Sequence, residues 1–144
     1  MKLKVKRLKD NAKLPTRGSK KAAAVDLYAC INNKIEVAPG GTVIIPSGIA
    51  CEIPEGYFGA IVPRSSVGIK RHLSLANNVG VIDEDYRGEI MMAFVNHGSQ
   101  IETIEPGERL GQMILLPYVL IDIEETNELS DTERGEGGIG STGK

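Results

Sequence analysis

Punctuation constrains this chain more than any other feature. Seventeen glycines and seven prolines cut its apolar residues into short runs. No segment sustains the roughly 3.6-residue apolar period of an amphipathic helix. β-like runs are read at residues 3–7, 22–29 (interrupted by Asp26), 35–37, 42–45, 49–53 and 57–62, and again at 91–95, 101–104 and 109–116. Residues 118–124 extend the last strand past Pro117, and residues 67–73 have room for one helical turn. Turn clusters separate the runs: Pro39-Gly40-Gly41, Pro46-Ser47-Gly48, Pro54-Glu55-Gly56 and Pro106-Gly107. Many short strands at this spacing predict an all-β sandwich, barrel or jelly roll, with antiparallel sheets joined by sequential hairpins.

The length of 144 residues suits one domain with its own core. A net charge of −2 offers no basic field to nucleic acid or to an anionic membrane. No apolar run approaches the roughly 18 residues of a membrane span. The first six residues alternate charge with apolar side chains, so they read as a strand rather than a signal peptide, and a cytoplasmic protein is expected. Cys30 and Cys51 lack metal-ligand spacing and read as reduced, buried thiols. From residue 126 the composition turns polar and glycine-rich. The expected organisation is therefore a β domain over residues 1–125 and a flexible tail over residues 126–144. The tail's free amides, with Ser, Thr and Arg donors, suit a polyphosphate. Its end, GIGSTGK, imitates a nucleotide-binding phosphate loop, but the lysine is the last residue, no helix follows and no βαβ unit precedes it. A flap closing over a ligand fits better.

Residues 77–90 carry the densest chemistry. Apolar runs at residues 79–82 and 90–95 flank an acidic connection containing Asp83, Glu84, Asp85, Tyr86 and Arg87. The pattern predicts a β-hairpin with this connection at its tip. A carboxylate there can face a water molecule, and an aromatic ring three residues on can pack against a flat ligand. A solvated acidic turn with a packed tyrosine has the same pattern.

Five separated stretches then share one family's pattern, in that family's order and over nearly the whole chain: residues 24–29 (AVDLYA), 63–66 (PRSS), 77–89 (NNVGVIDEDYRGE), 107–114 (GERLGQMI) and 134–143 (RGEGGIGSTG). The chain resembles the homotrimeric dUTPases. The resemblance implies a jelly-roll-like β barrel, cleavage of dUTP to dUMP and pyrophosphate with Mg²⁺, and active sites shared between three subunits, with no direct contact to nucleic acid or membrane. Such an activity limits uracil incorporation into DNA and supplies dUMP for thymidylate synthesis. Asp83 falls on the family's catalytic carboxylate, which activates the water that attacks the α-phosphorus. Tyr86 falls on the tyrosine that covers the deoxyribose and leaves no room for a ribose hydroxyl. Asn77 sits where the family reads uracil, with Val81 and Met91 at substrate-lining positions of the predicted hairpin. Arg64, Ser65, Ser66 and Gln112 fall on phosphate-side positions. Arg134 matches the arginine of the γ-phosphate, with Ile139, Gly140, Ser141 and Thr142 closing over the substrate. Asp26 matches an aspartate that holds Mg²⁺ through water. From the residues alone, Asp26 also reads as a buried, capped aspartate inside an apolar strand.

Two positions depart from the family's pattern. Ser66 stands where glycine is usual, and Ile139 where an aromatic residue usually stacks over uracil. Isoleucine can cover a base without stacking on it. The related dCTP deaminases share the fold, but they should show a Pro-Gly-Trp-like segment after the aspartate, whereas here Asp83 is followed by Glu84-Asp85-Tyr86-Arg87-Gly88. A nucleotide-sensing module that keeps the pocket without turnover is the third reading, and intact Asp83, Tyr86 and Arg134 weigh against it.

Overall fold

Short apolar runs bounded by turns leave each strand few ladder bonds, so the core must come from stacking several small sheets. The computed structural model, described over residues 1–139, has that arrangement. Its elements are β1 (Lys4–Arg7), β2 (Val25–Tyr28), β3 (Ile35–Val37), β4 (Thr42–Pro46), β5 (Ile49–Glu52), β6 (Tyr57–Pro63), α1 (Ser65–Arg71), β7 (Leu73–Leu75), β8 (Gly80–Ile82), β9 (Met91–Asn96), β10 (Glu102–Ile104) and β11 (Arg109–Pro117). Four sheets form, in the orders β2-β11-β6-β8, β4-β9-β7, β1-β5 and β10-β3, and every pairing is antiparallel. The fold is all-β with one short helix, as expected of a jelly-roll-like chain, although the ladder does not close into a continuous barrel among the described residues.

The inward faces meet in one core that includes Ile45, Ile61, Met92, Phe94, Leu110 and Met113. Cys30 and Cys51 are free and buried within it. The β4–β5 corner needs glycine for two reasons. Gly48 has φ 71°, and a Cβ there would stand 2.7 Å from the Cβ of Ala12 and 2.9 Å from that of Cys30.

Three expectations are corrected. The first is the hairpin. β8 pairs with β6 (Ala60↔Val81), whereas β9 pairs with β4 and β7. Residues 83–90 are therefore an arch from one sheet to another. The reason lies at Ile90, which is fully buried and bonded to the β4–β5 corner. Its N–H donates to the Ile49 carbonyl at 2.9 Å, and its carbonyl accepts from the Ser47 N–H at 3.1 Å. The second is the strand over residues 118–124. β11 ends at Pro117, and the last bond to the body runs from the Tyr118 N–H to the Gly56 carbonyl at 3.2 Å. Beyond it Val119, Leu120, Ile121 and Ile123 are exposed, because no strand among the described residues pairs with them. The third is the helical turn, which starts two residues earlier than expected and yields to β7 after His72 takes the left-handed conformation.

Candidate active site

The residues expected on the phosphate side gather at one end of the four-stranded sheet. Register places Asp26 on β2 beside Gln112 on β11, and Gln112 beside Val62 on β6. The Gln112 amide donates to the Pro63 carbonyl at 3.3 Å. β6 then runs into Arg64, whose backbone N–H donates to the Leu110 carbonyl at 2.9 Å. Ser65 and Ser66 follow, both exposed at the start of α1.

A helix of seven residues is too short to stand by its own propensity. Two tertiary ties hold it. Val67 is buried in the core. Arg71 donates to Glu102 at 2.7 Å, to the Thr103 carbonyl at 2.6 Å, and to Glu108.

Asp26 is 7% exposed. A carboxylate at that depth requires charged or hydrogen-bonding partners. Arg64 Nε donates to its Oδ1 and Arg109 Nη1 to its Oδ2, both at 3.1 Å. Glu108, just before β11, thus ties down the Arg71 end of the segment from Arg64 to Arg71, and Asp26, shared with Arg109, ties down the Arg64 end. Arg109 escaped the sequence reading. It lies inside the GERLGQMI stretch, and the signal for it was Asp26 itself, since a carboxylate in an apolar strand calls for a cation.

These contacts bear on metal binding. Both carboxylate oxygens of Asp26 face guanidinium groups, so a cation there would meet two positive charges. Among the described residues no cluster of three His, Cys, Asp or Glu side chains could hold a metal ion. The surroundings of Asp26 fit an arginine organiser and do not fit a direct metal ligand; a role through water, which the resemblance implies, needs no such direct contact.

The second group lies on the arch. Asn77 precedes Asn78, which has φ 59°, and the Asn77 carbonyl accepts the Val79 N–H at 2.6 Å. Val81 is exposed on β8, and Met91 is exposed at the start of β9 opposite Pro46. The Asp83 carbonyl accepts the Tyr86 N–H at 3.2 Å, which closes the turn, and Asp83 itself is exposed. Arg87 bonds the carbonyls of Tyr86 and Glu84 at 3.0 and 2.5 Å. Glu84 accepts the Gly56 N–H at 2.7 Å. A cleft of about 620 Å³ opens here, lined by Phe58, Val81, Asp83, Glu84, Asp85, Tyr118 and Leu120. The neighbouring Glu84, with Asp83 and Asp85 also near, raises the Tyr118 phenol above its ordinary pKa. A larger cleft of about 710 Å³ beside Lys9, Asn11, Cys30 and Asn32 contains none of the expected site residues.

The two groups do not meet within one chain. β8 runs antiparallel to β6, so Asp83 lies by Phe58 while Arg64 follows the other end of the strand. Six residue steps lead from Phe58 to Arg64, or about 20 Å at roughly 3.3 Å per residue. Among the described residues, the tail joins neither group. Arg134 Nε donates to the Gly137 carbonyl at 2.7 Å, and Ile139 is fully exposed. Gly140, Ser141 and Thr142 lie outside the described residues.

The family model described as dUTPase matches residues 10–143. The chain belongs to the dUTPase family. It is 43% identical to the deoxyuridine 5'-triphosphate nucleotidohydrolase of Syntrophotalea carbinolica, over 98% of this chain and 96% of that protein. It is 48% identical to that of Escherichia phage T5, over 90% and 91% of the two chains. A single-substitution mutant of the Staphylococcus bacteriophage 80alpha dUTPase, solved with dUpNHpp, superposes with a TM-score of 0.88 at 28% identity, covering 99% of each chain. The five stretches named from the sequence all fall within residues 10–143, the span of the family model.

Proposed function

We propose that this dUTPase hydrolyses dUTP to dUMP and pyrophosphate at sites completed by neighbouring copies of the chain. The observation that carries the reading is the pairing of an exposed Asp83 carboxylate with Tyr86 on one arch, in a chain whose family model spans both. Asp83 accepts a proton from a water whose oxygen attacks the α-phosphorus, and the bond to the bridging oxygen of the leaving pyrophosphate breaks. A positioned general base of this kind contributes about 10²–10⁴-fold. Tyr86 covers the deoxyribose. Asn77, Val81 and Met91 face the base and sugar side. Arg64, Ser65, Ser66 and Gln112 take the phosphates, where charge stabilisation supplies much of the remaining acceleration. Residues 126–144 act as the closing flap, with Arg134 on the γ-phosphate, Ile139 over the base and Gly140, Ser141 and Thr142 against the phosphates.

A trimer is the assembly that fits. The separation of Asp83 from Arg64 calls for a second subunit, and the tail is long enough to reach a third. Exposed apolar surface supports the association. Ile44 and Met91 stand on the outer face of the β4-β9-β7 sheet, and Val119, Leu120, Ile121 and Ile123 trail from the body. We assign Mg²⁺ to the triphosphate, whose oxygens are the hard ligands it takes, rather than to Asp26. Among the described residues no helix is long and apolar enough to cross a membrane. Two buried free thiols suit a cytoplasmic setting.

Product analysis on dUTP, dCTP, dTTP and UTP tests the reading, with wild type and Asp83→Asn. Pyrophosphate from dUTP alone is expected, with turnover lost and dUTP binding retained in Asp83→Asn. Ammonia from dCTP would move the assignment to the deaminases. Binding of dUTP without turnover by the wild type would make the protein a sensor.

A further inference from the structure

Tyr86 owes its position to a residue with no side chain. Its ring, 43% exposed, folds back over the chain two residues on, and its hydroxyl donates to the Glu89 carbonyl at 3.0 Å. A Cβ on Gly88 would stand 2.5 Å from Cζ and 2.9 Å from Cε2 of that ring, and closer still to the phenol oxygen. Gly88 does not have a positive φ, so its backbone suits any residue and only the space above it demands glycine. The surface under the ring is fixed. Glu89 accepts the Gly48 N–H at 2.8 Å and pairs with Lys9 at 3.3 Å. Ile90 is bonded on both sides to the β4–β5 corner. An added Cβ would therefore displace the ring and leave the backbone in place.

From this geometry we infer that Gly88 is a specificity-determining positioning residue: the bare backbone of Gly88 and the anchored Glu89 carbonyl seat the Tyr86 ring at the one depth that admits deoxyribose and rejects ribose. The inference rests on Tyr86 covering the sugar. A tight pocket discriminates by leaving a 2′-hydroxyl no space and no partner, so it depends on the height of the wall. Denied the space over residue 88, the ring swings aside and opens the pocket to ribose, which narrows the preference for dUTP.

The test measures kcat/KM on dUTP and UTP, with the thermal midpoint, for wild type, Gly88→Ala, Tyr86→Ala and the double variant. Gly88→Ala should lower the dUTP-to-UTP ratio by about 10- to 100-fold, the scale of a displacement near 1 Å in a reacting complex. In the Tyr86→Ala background the same substitution should change neither the ratio nor the midpoint, because the clashing ring is gone. A wild-type ratio in Gly88→Ala overturns the inference. So do losses that multiply in the double variant, and so does unfolding in both backgrounds, which would assign Gly88 to the backbone. If Tyr86→Ala itself kept the wild-type ratio, the sugar-covering role of Tyr86 would fall instead, a separate and recognisable result.

Discussion

Replacing Asp26 by asparagine separates two roles that a buried aspartate near a triphosphate can play. As an arginine organiser, Asp26 holds Arg64 and Arg109 through separate oxygens at 3.1 Å. Its side chain is 9% exposed, against 28% for Arg64 and 46% for Arg109. Removing one partner of a fully buried pair costs about 3–5 kcal/mol, but an exposed pair is worth no more than about 1 kcal/mol. The Arg109 half belongs near the exposed limit and the Arg64 half between the two. Asparagine keeps one acceptor and turns an amide toward one guanidinium, so a loss of about 2–3 kcal/mol is expected. In a domain of this size that lowers the thermal midpoint by roughly 4–12 °C. With Arg64 in the proposed phosphate role, losing its partner costs it a fixed geometry, and kcat/KM should fall by about 10- to 100-fold. The concentration of Mg²⁺ giving half-maximal turnover should stay at its wild-type value. Calorimetry and a Mg²⁺ titration decide the matter together. An unchanged midpoint with a raised Mg²⁺ requirement would refute the organiser and restore the metal-ligand role.

Two further outcomes are expected. Ile139→Phe should lower KM for dUTP by about fivefold, the equivalent of roughly 1 kcal/mol of added aromatic contact, and an unchanged or raised KM would remove Ile139 from the base. Burial raises Cys51 from 9.0 to about 11, so above pH 9 the unfolded chain loses this proton while the folded chain keeps it. Stability should therefore fall from pH 9 to pH 11 by at most about 1.4 kcal/mol per pH unit from this group, and denaturant titrations of Cys51→Ala should show a shallower decline.

The strands and their turns were legible in the sequence because alternating or continuous apolar runs between glycines and prolines have few other ways to fold. Partner choice was not. The runs around residues 79–82 and 90–95 look like the arms of a hairpin, yet each found a better neighbour in a different sheet. The decisive contact, Ile90 with the β4–β5 corner, lies some forty positions away in sequence. The apolar pattern after Pro117 was equally visible, but a pattern specifies a face to cover and not which chain covers it. The site showed the same division. Asp83, Tyr86 and Arg64 could be named from local motifs, whereas the Arg64–Asp26–Arg109 linkage depends on the β2-β11-β6 register. The rival readings of Asp26 could not be weighed until that register was known.

Separation of Asp83 from Arg64 along β6 makes a quantitative demand on the assembly. If each site takes the carboxylate from one subunit and the arginine from another, Asp83→Asn and Arg64→Ala damage different contributions to the same site. Each variant alone has every site defective. Mixed at equal amounts, unfolded together and refolded, the chains assort at random. A given site then draws an intact Asp83 with probability one half and an intact Arg64, from a different chain, also with probability one half. Roughly one quarter of the sites are whole, and about one quarter of wild-type activity should return. If both groups served a site from the same chain, every site would carry one defect and mixing would restore nothing. The amplitude discriminates further, because recovery requires exchange between chains and should be absent when folded variants are mixed without unfolding. Recovery near one quarter would establish the shared site without reference to any static arrangement. No recovery, with the mixed oligomers shown to form, would require the arch and the phosphate loop to approach each other within a single subunit.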